Sequence, residues 1–284
     1  YVKMNVTRVG TASGQYLSGL GISRFSARFK LVSGKQVAEV AGVAGGTLRL
    51  TITNDPVNPV VSAQLVGSGE STPVKMARLG TKNLTLSKAY TGTFADRASG
   101  SLQGFTITRI NLASGTVFIS GMLPESGVRF SASSGMYSDP DSLSAASMCD
   151  LIVRVSSGLR LYATWKLETA TQSGDVSVAA AAIGDAKDYD LTGASYAPAP
   201  LGEILFPFVS TRDEAVVTLA GTELGRFTAT GNRLVPKASA FAGSGGRFSL
   251  SYNASTGQVS GLVSLTSGGP LRSFTGVILQ GDYR

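Results

Sequence analysis

The chain contains no histidine, one cysteine and one tryptophan among its 284 residues, and only 15% of the residues are charged. Without imidazole there is no Ser-His-Asp or Cys-His relay and no His-ligated metal centre. With Cys149 alone, an intrachain disulfide and a cysteine-based zinc site are both excluded. Cys149 heads the apolar part of "SAASMCDLIVRV", where a thiol reads as a small buried hydrophobe. Straight-chain charged residues are scarce, which disfavours long surface helices. No run approaches the roughly 18 apolar residues of a transmembrane helix. The opening "YVKMNVTRVG" lacks the apolar centre of a signal peptide, as a mature product or a fragment of a longer chain would.

Other catalytic patterns are missing too. In "VSGKQV" Gln36 follows Gly34-Lys35, where a P-loop needs Ser or Thr for Mg2+. No G-x-G-x-x-G opens a helical pattern, and "STPVK" and "TLSKAY" are poor matches to lysine-assisted serine chemistry. Glu168, Asp175, Asp213 and Glu214 fall near expected strand ends, where carboxylates are ordinarily solvated rather than paired across a glycosidase cleft. The net charge is +7, yet the basic residues are dispersed and form no run of five, so no nucleic-acid partner is expected. The chain reads as non-enzymatic.

What is present is β-structure. Apolar residues make up 43% of the chain, and 35 glycines punctuate segments of period-2 alternation at intervals of about 8–12 residues. Phe248, Leu250 and Tyr252 alternate with Arg247, Ser249 and Ser251, followed by the turn "NASTG", then "QVSGLVSL", "TSGG" and "RSFTGVIL". Such short connections specify an antiparallel meander. Further units run over "GGTLRLTITND", "KNLTLSKAYTGTF" (82–94), "SGTVFISGMLPESGVRFSASSG" (114–135), "GLRLYATWKLET" (158–169) and "AVVTLAGTELGRFTATGNRLV" (215–235). "SDPDSLSAASM" leaves room for a short helical turn. "VAAAAIGDAKDYD" is either a short helix or a buried strand followed by a loop. Pro198, Pro200 and Pro207 forbid a central strand and mark a connector. The expectation is an all-β, antiparallel protein of barrel or sandwich modules over 1–88 and 89–284.

The motifs "YTGTF" at Tyr90, "SGTVFISGMLPESGVRFSASS", the lone Trp165 in "ATWKL", "GASYAPAP" and "STGQVSGLVSL…RSFTGVILQGD" occur in that order. Together they resemble the repetitive all-β regions of large exported surface proteins of Verrucomicrobia- and Planctomycete-type bacteria. The resemblance implies export and a place at the cell surface; it brings no catalytic residues. An extracellular structural or adhesion module follows as the expected role, with a carbohydrate-binding module or a subunit of a surface appendage or virion as alternatives.

Two site chemistries remain open. Asp139 and Asp141 in "SDPDS", and Asp185, Asp188 and Asp190 in "GDAKDYD", make oxygen-rich loops of the kind that hold Ca2+, although Asp before Pro or Gly forms turns equally well. Trp165, Tyr162, Tyr196 and Tyr189 are the aromatics available to stack on a glycan, but Trp165 alternates with Ala163 and Leu167 as a core residue does. Edge strands offer pairing to neighbouring copies or domains.

Overall fold

A computed structural model describes residues 2–7, 9–18, 21–43, 45–53, 60–67, 71–74, 80–124, 126–138, 146–155, 158–179, 186–198, 214–219, 222–230, 233–236, 247–264 and 269–280. Among them there is no α-helix, and the protein is all-β and antiparallel. The chain divides into two compact units, residues 1–78 with 179–187, and 79–178 with 188–284.

In the first unit a three-stranded sheet, β1 (Val2–Val6), β2 (Thr11–Ser18) and β3 (Gly21–Arg28), shares a core with a five-stranded one. The latter runs in chain order through β4 (Lys30–Val32), β5 (Lys35–Val43), β6 (Gly46–Thr53), β7 (Val60–Val66) and β8 (Ser71–Val74). "SRFSARFKL" shows how the sequence produces this: Phe25 and Phe29 turn into the core with Val40, Leu48 and Leu50, while Arg24, Arg28 and Lys30 face solvent. Period-2 geometry sends alternate side chains to opposite faces, so one apolar row suffices to dock the sheet.

The second unit is built on a nine-stranded sheet. Its strands are β9 (Ala89–Asp96), β10 (Leu102–Asn111), β11 (Thr116–Met122), β12 (Arg129–Gly135), β13 (Tyr137–Ser138), β14 (Ser147–Arg154), β15 (Arg160–Leu167), β16 (Thr171–Ala179) and β17 (Lys187–Ser195). Their spatial order is β12-β11-β10-β9-β17-β16-β15-β14-β13, and β12 lies close to β14, so the sheet curls into a nearly closed barrel. The closure depends on one long-range pairing, β9 with β17, in which Gly92 stands opposite Gly193 and Phe94 opposite Leu191. Tyr90, Phe94, Ile119, Cys149, Leu151, Leu161, Trp165, Leu167, Val176 and Leu191 fill the interior. Strand closure with a side-chain-filled lumen is the expected outcome at this strand number.

The segment expected to be a strand from Lys82 departs from that expectation: β9 starts only at Ala89. Asn83 Oδ1 accepts from both the amide and the hydroxyl of Thr85, turning the chain out of extended conformation. Gly80 and Thr81 amides donate to Met136 O near the seam, and Leu86 joins the barrel core. These bonds place residues 80–88 with the second unit, while residues 179–187 group with the first, so no single cut separates the two.

A six-stranded sheet completes this unit, with β18 (Glu214–Leu219), β19 (Thr222–Thr230), β20 (Arg233–Pro236), β21 (Arg247–Asn253), β22 (Gln258–Ser264) and β23 (Arg272–Val277) in chain order. Its last strand lies against β9 and β10, and Thr91 Oγ1 donates to Ile278 O at 2.5 Å.

Candidate functional site

One polar cluster in the barrel interior centres on β16. Gln172, on β16, is buried and accepts at Oε1 from Thr108 Oγ1 (2.9 Å) and Trp165 Nε1 (3.3 Å), while its Nε2 donates to Thr106 Oγ1 (3.4 Å). Space for the amide comes from the paired glycines of β9 and β17: a Cβ at either Gly92 or Gly193 would come within 2.6 Å of Gln172 Nε2. The side chains satisfy one another, which is the condition for burying them without a large desolvation penalty.

Trp165 has 0% exposure. Both ring faces are covered, so it offers no stacking platform to a glycan. Tyr196 is also buried; its hydroxyl donates to Ala254 O (2.5 Å) and its ring occupies the space over Gly257, whose φ of +69° closes the "NASTG" turn. It staples that turn to the barrel. Tyr189 is buried in the core, opposite Asp96. Tyr162 is half-buried opposite Ile152, with its hydroxyl covered and without a hydrogen-bond partner among the described residues. Trp165 and Tyr189 belong to one barrel core, whereas Tyr196 packs separately with Ala89, Ala254, Val259 and Ile278.

Of the calcium candidates, Asp139, Asp141 and Asp185 lie outside the described residues. Asp188 and Asp190 belong to a strand, β17, rather than to a loop, because Tyr189 and Leu191 between and beside them supply a buried row. Their carboxylates are already engaged: Ser177 Oγ donates to Asp188 Oδ1 (2.5 Å), and Arg97 Nε donates to Asp190 Oδ1 (2.7 Å) while its Nη2 contacts Asp175. The guanidinium thus stands where a cation between Asp175 and Asp190 would, and the Asp190 carboxylate holds its pKa above the usual arginine value. Among the described residues no group of three or more carboxylate, cysteine or histidine side chains is arranged to hold a metal. Glu168 pairs with Lys166 (2.7 Å) and accepts from Thr171 (3.0 Å); both interactions, the lysine foremost, lower its pKa. Of Glu214 only the backbone, in β18, is described, and Asp213 is outside the described residues.

Two depressions lie on the outside of the second unit. Across β10, β11 and β12 the registers set three outward rows, Arg109–Phe118–Ser133, Ile107–Ser120–Ser131 and Phe105–Met122–Arg129. Phe105 and Ile107 are buried at the β10 end, where β23 approaches. Phe118 remains 51% exposed, beside the exposed Arg109. A depression of about 440 Å3 follows the first two rows. A second, of about 720 Å3, joins Met122 and Arg129 to Ser260, Leu262, Ser273 and Thr275 of β22 and β23. Among the described residues, no acidic one lines either depression.

Sequence reasoning passed over Phe118, Arg109 and Arg129. The signal was present in "TVFIS": three successive apolar residues cannot share one face of a strand, so either Phe118 or the pair Val117 and Ile119 must point outward. No protein-family model matches the chain, and no curated protein matches it.

Proposed function

We propose that the chain is a non-enzymatic structural and adhesion module of an exported bacterial surface protein. The observation that carries this reading is the solid interior of the second unit, where Trp165, Tyr90 and Phe94 fill the lumen and Gln172 is consumed by Thr106, Thr108 and Trp165. A lumen occupied in this way serves rigidity rather than ligand capture. Support for assembly comes from β4, at the edge of its sheet, which exposes Leu31 (73%) and Val32 (53%); unpaired edges of this kind accept a strand from a neighbouring copy. Assays of polysaccharide and ester hydrolysis with the purified chain test the reading: no turnover above background is expected, and hydrolysis at enzymatic rates would overturn it.

The outward depressions favour one second reading, a carbohydrate-binding module. Hydroxyl side chains in rows beside an exposed ring are the groups that sugar hydroxyls and pyranose faces engage.

A further inference from the structure

We infer that the outer face of β10–β12, continued onto β22 and β23, binds an acidic polysaccharide, with Arg109 and Arg129 on its anionic groups and Phe118 stacked against a sugar ring. The inference rests on the carbohydrate-binding reading and narrows its ligand. Three observations lead to it. First, among the described residues the lining contains Arg109 and Arg129 with no acidic residue, and neither arginine has an ion-pair partner. A guanidinium left free in an acid-free depression favours an anionic ligand and can bind a carboxylate or sulfate through two parallel bonds.

Second, the two arginines are separated along the sheet. Arg109 sits on β10 in the Phe118 row and Arg129 on β12 in the Met122 row, about 13 Å apart along the strands at roughly 3.3 Å per residue and about 10 Å apart across them, two inter-strand spacings. Between them lies the row carrying Ser120 and Ser131. Charges spaced this far apart with hydroxyls between suit a polymer that alternates anionic and neutral groups better than a single small anion.

Third, the apolar component is small and local: Phe118 at one end, Met122 in the middle and the 42% exposed Leu262 at the other. A single exposed ring suits one sugar face. A single-stranded nucleic acid uses a denser basic track and several aromatic platforms for successive bases, which this face lacks.

Isothermal titration of the full chain with oligogalacturonate, a neutral β-glucan oligosaccharide and a single-stranded oligonucleotide tests the inference. The oligogalacturonate should bind, and its affinity should fall with salt because the contacts are charge-assisted. Arg109→Gln and Arg129→Gln should each weaken binding at least roughly tenfold, the loss expected for one of the two parallel hydrogen bonds to a charged group. Phe118→Ala should weaken it by a similar factor, while far-UV circular dichroism stays unchanged; Arg109→Lys, which keeps the charge, should retain part of the affinity. Binding of the neutral oligosaccharide alone would overturn the inference and leave the carbohydrate-binding reading standing. Binding of none of the probes, oligonucleotide binding as tight as that of the saccharide, or indifference to all three removals would overturn it as well.

Discussion

Replacing Gln172 by Leu removes the amide that holds the polar groups inside the barrel, and its cost can be worked from the contacts. Thr108 Oγ1 loses an acceptor at 2.9 Å and Trp165 Nε1 one at 3.3 Å, whereas the Thr106 bond, at 3.4 Å, is long and contributes less. A stranded buried donor costs about 1–3 kcal/mol. The threonine hydroxyl can rotate to another acceptor, but the indole N–H is fixed by its ring, so Trp165 bears most of the penalty. Leucine returns some apolar burial beside Gly92 and Gly193, and the net loss should be about 2–4 kcal/mol, a large fraction of ordinary domain stability. Urea unfolding followed by tryptophan fluorescence reads this unit alone, since Trp165 is the sole tryptophan. Adding Trp165→Phe, followed by circular dichroism, removes the stranded donor, so the double variant should lose less than the sum of the singles by about 1–2 kcal/mol. A Gln172→Leu protein within about 0.5 kcal/mol of the parent, the ordinary range for surface substitutions, would refute the network as a structural determinant.

Other outcomes follow from neighbouring contacts. Gly193→Ala places a methyl against Thr91 O and within 2.6 Å of Gln172 Nε2; thermal unfolding should show destabilisation of at least about 1–3 kcal/mol. Tyr90 Oη donates to Glu168 O (2.6 Å) and accepts from Ser87 N (3.0 Å), so Tyr90→Phe should cost about 1–2 kcal/mol at neutral pH. Burial raises the Tyr90 pKa above 10.0; between the two values the unfolded chain releases a proton that the folded one keeps, so this contribution is complete below pH 10.0 and lost as pH rises through the folded pKa. The difference between parent and Tyr90→Phe should shrink over that alkaline range in a pH series of urea melts. Glu168 has the opposite sign. Its folded pKa is lowered from 4.5, chiefly by Lys166, so the advantage of the parent over Glu168→Gln exists above pH 4.5 and disappears as pH falls through the lower folded value. The pair is half exposed, which limits the effect at neutral pH to about 0.2–1 kcal/mol.

The strands themselves were legible because apolar alternation survives without knowledge of partners. "RFSLSYN", "QVSGLVS" and "RSFTGV" became β21, β22 and β23 with the hairpin registers that short turns impose. Closure was not legible, since β9 and β17 are nearly a hundred residues apart and nothing local encodes that Gly92 faces Gly193. β10 shows a second limit. In "FTITRI" alternation favours Phe105 and Ile107 as the interior row, yet Thr106, opposite Gly92, and Thr108, opposite Tyr90, share the lumen with Gln172, while the two apolar residues face the other way, toward β23. Both faces of that strand are covered, and period-2 alternation distinguishes faces but not which one is core. The exposed Phe118 was hidden for the same reason, as one member of an apolar triplet. Asp188 and Asp190 read as loop ligands because acids in a short Gly-containing segment look like turn chemistry; the buried Tyr189 and Leu191 make them the outer row of a strand instead.

The central claim is that the second unit is a barrel filled by its own side chains, with Trp165 sealed among them. Acrylamide quenching of Trp165 fluorescence tests this most directly, because one indole supplies the whole signal. The account predicts blue emission and little quenching in the folded chain, unaltered by saturating saccharide, and strong quenching after unfolding in urea. Red emission with ready quenching of the folded protein, or protection of Trp165 that appears only when a saccharide is added, would contradict it.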